Sequence, residues 1–318
     1  MKASNKLVIG LDIGGTKLAG GVLDSNAVLL ERRERPARVR EGVQVSLGQV
    51  FDMAVELHEI AAARHGRVAG IGVCAPGPLD PRAGVIFNPP NMPGWRDIPL
   101  AAELARRSGL PCRVENDANG AGLAEALYGA GRGHSSVFYV TLSTGIGTGI
   151  ILDRRVYHGK NGFAGEGGHV TIDYRSKVVC NCGAPGCIEA LASGTAIARR
   201  ARHLLGKRAD PGLTAETLAR AAAQGDRLAR RLIEETAQML GAWLGGVISL
   251  LDPDIIVIGG GVSRIGDPLF SRIQEAVLGH TINPNAADTP IVPAALEHDV
   301  GLRGAAAVIL SHLASDRP

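Results

Sequence analysis

Residues 7–24 read LVIGLDIGGTKLAGGVLD, and residues 137–153 read VFYVTLSTGIGTGIILD. Each opens on a β-branched and aliphatic run, breaks at a glycine-rich turn carrying threonine, and resumes in an apolar run that ends Leu-Asp. Apolar runs this short read as buried strands, and two of them around such a turn read as a hairpin. The chain therefore predicts one hairpin made twice, one copy in each of two domains, with both turns facing a shared cleft.

The turns carry the first hint of chemistry. Gly14 and Gly15 expose backbone N–H groups and Thr16 adds a hydroxyl, which are the donors a phosphate needs. Asp12, at the end of the first strand, can orient a magnesium ion directly or through water. The run Gly10-x4-Gly15-Thr16-Lys17 has neither the residue order nor the strand-to-helix setting of a Walker A loop. For either copy alone, a plain hairpin turn is the competing reading.

Outward from the first hairpin, Val43 to His65 has helical periodicity, and Gly70 to Val73 is a strand closed by Ala75-Pro-Gly-Pro78. Asn88-Pro-Pro-Asn-Met-Pro-Gly-Trp95 is a rigid loop with two amides, and Leu100 to Ser108 reads as a helix. Cys112 to Val114 is a strand running into Glu115-Asn116-Asp117-Ala-Asn119 and a helix through Leu127. Open α/β sheets place ligands at such acidic and amide residues between a strand end and a helix start. Simple helix capping by Asp117 is the alternative. Beyond the second hairpin, Ser136 to Leu142 and Ile150 to Asp153 being its strands, Gly194 to Leu251 predicts a long helix broken near Gly206 to Gly212. Asp254 to Ile258 is a buried strand entering Gly259-Gly260-Gly261, where a base or ribose can lie against bare backbone. Gly301 onward reads as a terminal helix.

Between the second hairpin and that long helix lies EGGHVTIDYRSKVVCNCGAPGCIE, Glu166 to Glu189. Cys180, Cys182 and Cys187 fall within one short run, with His169 shortly upstream. Three thiolates and an imidazole suit a closed tetrahedral zinc, and Gly183, Pro185 and Gly186 make the tight knuckle that turns them to one point. The bland alternative is three buried thiols and a surface histidine. Such knuckles also build nucleic-acid binders, so the zinc site does not name a function.

Composition narrows the classes. The chain has 318 residues, 45% apolar and 20% charged, which describes an ordinary globular protein long enough for two domains. A net charge of +3 and 3% aromatics speak against an electrostatic or base-stacking nucleic-acid partner. Cys74 and Cys112 lie in apolar strand-like surroundings, and five cysteines used this way fit a metal site in a reducing compartment better than disulfides. The apolar run before Asp12 is too short for a signal peptide, and Gly241 to Leu251 is about half a membrane span. The expectation is a cytoplasmic protein with no membrane partner.

Taken together, Asp12-x-Gly-Gly-Thr16, Pro76-Gly-Pro78, Glu115-Asn-Asp-Ala-Asn119, Thr144-Gly-x-Gly147, Glu166-Gly-Gly-His169, Cys180-x-Cys-x4-Cys187 and Gly259-Gly-Gly261 resemble the ROK family. This family holds sugar kinases, repressors and uncharacterised relatives, within the actin-like ATPase superfamily. The motifs run along nearly the whole chain in family order. The resemblance implies an α/β fold of two ribonuclease-H-like lobes around a hinged cleft: residues 1–117, joined by the C-terminal helix at about 302–318, and residues 118–301 with the zinc-binding segment 169–187. It implies Asp117 as the general base toward a sugar hydroxyl, and Asn91, Asn116, Asp117, Glu166, His169 and Glu189 as sugar partners. It gives Asp12, Gly14, Gly15, Thr16, Lys17, Thr144 and Gly145 as the ATP-phosphate set, with Gly260 and Gly261 behind them. The cofactors implied are ATP, Mg2+ and a structural Zn2+ on His169, Cys180, Cys182 and Cys187.

The expected activity is transfer of the γ-phosphate of ATP to the 6-hydroxyl of a hexose, with glucose first. N-acetylglucosamine, N-acetylmannosamine and fructose are alternative acceptors, and polyphosphate is an alternative donor. A homo-oligomer, dimer or tetramer, is expected. A repressor of the same family wants a helix-turn-helix domain before the first strand, where this sequence has six residues before Leu7. A free-standing zinc module for nucleic acid is disfavoured by charge and aromatics.

Overall fold

The computed structural model describes residues 6–205 and 212–315. In chain order these form β1 (Leu7–Ile13), β2 (Lys17–Leu23), β3 (Leu29–Pro36), α1 (Val43–Arg64), β4 (Val68–Ala75), β5 (Leu79–Asp80), β6 (Val85–Ile86), α2 (Leu100–Ser108), β7 (Cys112–Asn116) and α3 (Asp117–Tyr128). Then follow β8 (Ser136–Leu142), β9 (Ile146–Leu152), β10 (Arg155–Val156), α4 (Ile188–Ala192), α5 (Gly194–Leu205), α6 (Ala215–Ala223) and α7 (Arg227–Leu251). The chain closes with β11 (Ile255–Gly259), α8 (Asp267–Leu278), β12 (Ile291–Pro293) and α9 (Val300–Ser315). By contacts it divides into two compact units, Met1–Arg132 with Arg154–Phe163 and His298–Pro318, and Gly133–Asp153 with Ala164–Glu297.

In the first unit β1 pairs antiparallel with β2, and β2 with β3, while on its other side β1 pairs parallel with β4 and β4 with β7. Helix α1 buries Leu47, Val50, Met53 and Leu57 in a core shared with Ile9, Leu11 and Val73. Helix α9 lies directly on the sheet. A Cβ at Gly72 would fall 1.8 Å from Ala305 O, and one at Gly10 would fall 2.7 Å from Leu302 O. These two glycines are register partners, so the sheet is bare where the helix backbone crosses it. Sequence reading passed over β3, because Glu31-Arg32-Arg33-Glu34-Arg35 offers no apolar alternation. It is an edge strand whose charges discourage further pairing, and Arg33 and Arg35 both reach Glu56 on α1.

The division by contacts departs from the boundary expected after residue 117. Helix α3 begins there but stays with the first unit, because its Gly120 and Gly304 of α9 meet backbone to backbone: a Cβ at Gly304 would lie 2.6 Å from Gly120 C. Residues 154–163, expected with the second domain, also belong to the first unit. His158 bonds Glu115, and the Arg82 guanidinium donates to Gly159 O at 2.8 Å and Lys160 O at 3.1 Å.

In the second unit β8 pairs antiparallel with β9 and parallel with β11, which pairs parallel with β12. The turn is shorter than expected. Gly147 and Gly149 lie inside β9 opposite Thr141 and Tyr139, which leaves Ser143–Gly145 as the turn itself. Phe138 and Trp243 meet edge to face at 5.9 Å in a core with Val140, Leu240, Leu244 and Ile256. The helix break expected at Gly206 to Gly212 falls mainly on residues 206–211, outside the described residues. A second break at Gln224–Asp226 was not foreseen, and Asp226 there caps α7 by accepting from Ala229 N at 2.9 Å. Among the described residues no helix is long and apolar enough to cross a membrane.

Candidate active site

The first turn is closed by Gly14 N–H donating to Lys17 O at 2.8 Å. Gly15 packs against the proline-rich loop, since a Cβ there would lie 2.6 Å from Asn91 O. That loop is anchored by the buried Met92 and Trp95, whose Nε1 donates to Ser46 Oγ at 2.8 Å. Asn91 is thereby brought to the turn, and Thr16 is exposed on it. Lys17 reaches sideways to Glu34 on β3, at 3.5 Å. The half-buried Asp12 sits against the start of α9: a Cβ at Gly301 would fall 2.3 Å from its Oδ2. Desolvation raises the Asp12 pKa above the ordinary carboxylate value, with Lys17 opposing it. The partial positive charge of a helix N-terminus favours a carboxylate placed there.

Strand β7 ends in Asn116, and α3 starts at Asp117. Asn116 caps the helix, its Oδ1 accepting from Ala118 N at 2.9 Å and Asn119 N at 3.2 Å. The cap residue is thus Asn116, although Asp117 Oδ1 also accepts from Ala118 N at 2.8 Å. Asn116 Oδ1 is thus committed to the helix. Asp117 is exposed. Beneath it Glu115 is 3% exposed, and its carboxylate accepts from Asn116 N at 2.9 Å and Asn119 Nδ2 at 3.0 Å and meets His158 Nε2 at 2.6 Å. No local signal marked His158, which lies far along the chain. Asp12, Glu115 and Asp117 also share a neighbour: burial and these three charges push the Cys74 thiol well above its usual pKa. The first unit therefore gathers Asp12, Asn116 and Asp117 in one region.

In the second unit Ser143 and Thr144 are exposed at the turn, where Ser143 N donates to Gly145 O at 2.9 Å. Gly194 N donates to Ser143 O at 2.8 Å, and Thr195 Oγ1 donates to Thr144 O at 2.9 Å. A cavity of about 460 Å³ opens beside this turn, lined among others by Thr144, Thr195, Arg202, Thr214, Gly261 and Arg264. Its size is that of a small-molecule site. Gly261 lines it, while Gly260 lies behind at φ +89°, where a Cβ would meet Leu142 O at 2.5 Å. At the cavity Arg264 pairs with Glu216 at 3.2 Å. Sequence reading missed Thr195, Arg202, Thr214, Glu216 and Arg264, because residues this far apart in the chain reach one cavity only through packing.

The cysteine segment folds back on itself. Cys180 N donates to Ala184 O at 2.8 Å, and Ile188 N donates to Val170 O at 3.0 Å. One donor atom from each of His169, Cys180, Cys182 and Cys187 lies within 4.8 Å of the others. The Sγ atoms of Cys182 and Cys187 are 3.6 Å apart, and Cys180 Sγ is 3.5 Å from His169 Nδ1. A tetrahedral zinc at its usual bond lengths sets these edges at about 3.8 and 3.6 Å, so the donor set fits the ion. All five cysteines are free thiols. Burial pushes Cys180 up to about 12 and raises Cys187, whereas the Ala184 backbone N–H lowers Cys182. Ionised together, three sulfurs this close would need a cation beside them. The other imidazole nitrogen, Nε2, lies 4.0 Å from Glu166 Oε2, and Thr148 holds this loop by accepting from Gly167 N at 2.9 Å. Glu189, two residues past Cys187, turns its Oε2 to Ile146 N at 3.0 Å.

The ROK family model matches residues 8–312. The glucokinase of Thermotoga maritima is 34% identical over 312 residues, which span 95% of this chain and 96% of that protein. The crystal structure of a ROK hexokinase from Thermus thermophilus superposes with a TM-score of 0.83 at 36% identity, over 97% of this chain and 99% of the other. A ROK family glucokinase from Streptomyces griseus, in complex with glucose and AMPPNP, gives a TM-score of 0.78 at 33% identity, over 94% and 98%. The α/β fold is that of the ROK sugar kinases in the actin-like ATPase superfamily. With its motifs in order and its fold shared from end to end, the chain belongs to the ROK family.

Proposed function

We propose that the protein is an ATP-dependent hexose kinase that transfers the γ-phosphoryl group to the 6-hydroxyl of glucose. The carrying observation is the cavity of about 460 Å³ opening on the Ser143–Gly145 turn, in a chain related along its length to glucokinases. It receives the adenosine, with the phosphates toward Thr144 and Gly145. Gly14, Gly15 and Thr16 supply the second set of donors to the phosphate chain. Phosphoryl transfer asks little covalent chemistry of a protein and much positioning, and two glycine turns with Asp12 meet that need. Lys17, paired with Glu34, contributes positive charge near Asp12 rather than a direct contact.

Asp117 accepts the proton of the sugar hydroxyl as the bond to phosphorus forms. It stands exposed at the start of α3, open to an incoming hydroxyl. Asn116 offers Nδ2–H to a neighbouring hydroxyl, and Asn91, Glu166, His169 and Glu189 complete the sugar partners. His169 can serve twice, since Nδ1 faces the thiols and Nε2 faces the Glu166 side. Zn2+ on His169, Cys180, Cys182 and Cys187 would be structural, holding the loop and fixing the histidine tautomer. Mg2+ would be held by Asp12 together with the nucleotide and would neutralise phosphate charge.

A coupled assay over glucose, fructose, N-acetylglucosamine and N-acetylmannosamine, with ATP or polyphosphate as donor, tests this reading. Glucose with ATP should give the highest kcat/KM. Absence of turnover with every hexose overturns the kinase assignment, and a higher value for another sugar replaces glucose.

A further inference from the structure

We propose that Glu189 is a positioning residue for the nucleotide turn, carrying the geometry of the cysteine–histidine knuckle into residues 143–146. This rests on the reading of that turn as the seat of the ATP phosphates, and it adds a role to the sugar contact assigned to Glu189. Ser143–Gly145 is a three-residue turn, exposed at Ser143 and Thr144, with one internal bond, Ser143 N to Gly145 O at 2.9 Å. Such a turn needs outside support to hold its N–H groups toward a ligand.

The support comes from one short stretch of chain. Cys187 is the N-cap residue of α4, Glu189 lies in the first turn of that helix, and Gly194 and Thr195 begin the next helix. Glu189 Oε2 accepts from Ile146 N at 3.0 Å, which fixes the Gly145–Ile146 peptide plane and so the direction of the N–H groups before it. Gly194 N and Thr195 Oγ1 take the carbonyls of Ser143 and Thr144 at 2.8 and 2.9 Å. A Cβ at Gly145 would lie 2.5 Å from Glu189 Oε2, so the carboxylate rests against bare backbone. A carboxylate bonded to a backbone N–H is about twice as strong a clamp as a neutral pair.

Glu189 also touches the knuckle directly, with Cys180 Sγ 3.7 Å from its Oε1. Once that sulfur is ionised on a cation it no longer donates, so the mechanical path runs through Cys187 and α4. The knuckle then serves the nucleotide as well as the sugar. A carboxylate beside a phosphate seat is electrostatically unfavourable, which is a reason for its Oε2 to be engaged by the turn itself.

The test is calorimetric titration with AMPPNP, without hexose, on the full chain: wild type, Glu189→Gln, Glu189→Ala, chelator-stripped wild type and stripped Glu189→Ala. Glutamine keeps an acceptor for Ile146 N and should bind within about two-fold of wild type, whereas alanine should lose about ten-fold. Stripping should cost wild type a similar factor, and the stripped alanine variant should lose no more than either alone, because the two changes break one path. Stripped protein with wild-type nucleotide affinity overturns the relay, as do losses that multiply. If Glu189→Ala does not fold, Thr195→Val cuts the neighbouring clamp, and its loss combined with stripping should likewise fall short of the product. A wild type that binds no nucleotide overturns the kinase reading and the relay together. Wild-type nucleotide affinity in Glu189→Ala overturns the relay alone.

Discussion

Strands β1 and β2 close on a turn at Gly14–Thr16 that is backed by main chain: the Asn91 carbonyl lies under Gly15, and the first residues of α9 lie against Asp12. Strands β8 and β9 close on a turn at Ser143–Gly145 where side chains share the support: the Glu189 carboxylate on Ile146 N and the Thr195 hydroxyl on Thr144 O, beside the Gly194 main-chain N–H on Ser143 O. The hairpins share pairing and direction, each with a parallel strand added beside its first strand. Their supports obey different physics. Main-chain support leaves no room for a Cβ, so it fails by collision. Side-chain support fails by loss of a hydrogen bond or of whatever holds the side chain.

The largest effect should come from neither turn. Asp117→Asn keeps shape and removes the proton acceptor, so kcat should fall by roughly 10^2 to 10^4 while glucose affinity by calorimetry stays within a few-fold. Turnover near wild type would mean that the turns alone suffice and that the proton goes elsewhere. Next comes the main-chain support. Gly301→Ala drives a methyl into Asp12 Oδ2 and should lower kcat about 10- to 100-fold, with a raised Mg2+ requirement. Gly48→Ala, in open space within α1, is the control and should leave both unchanged. Equal effects from the two would break the distinction.

His158→Ala takes the imidazole from the buried Glu115 and should lower stability by about 1–3 kcal/mol, read by urea unfolding. His158→Gln, which keeps a donor, should recover part of that loss. An unchanged midpoint in the alanine variant would show that the region below Asp117 does not depend on residues 154–163. The smallest effect belongs to the side-chain support. Thr195→Val should raise the AMPPNP Kd by a factor of about 2 to 10 and leave Mg2+ dependence alone. A shift in Mg2+ dependence there would erase the difference between the turns.

Much of the frame was readable because it rests on local patterns. Apolar runs around glycine mark both hairpins, and Leu100–Ser108 was bounded to the residue by its periodicity. Cys180, Cys182 and Cys187 announced one shared point, because three thiols in a short turn have few other uses. The strand β3 was not readable: its charges form an edge that only pairing with β2 reveals. Nor was the span of the second turn, since Gly147 and Gly149 could as well have been loop until β8 lay opposite them.

By itself, the sequence determined the residue types that can hold phosphate, metal and sugar, and the family through their order along the chain. Tertiary structure decided which of them touch. It gave the helix cap to Asn116 rather than Asp117, drew Lys17 toward Glu34, and kept α3 and residues 154–163 with the first unit. It also set Glu189 against the second turn and His158 on Glu115 of β7. The reason is the range of the forces involved. Strand and turn propensity, capping and knuckle chemistry act within a few residues and leave a local mark. A cavity wall, a carboxylate on a distant N–H, or a helix resting on two bare glycines needs segments far apart in sequence to arrive together, and packing alone brings them there.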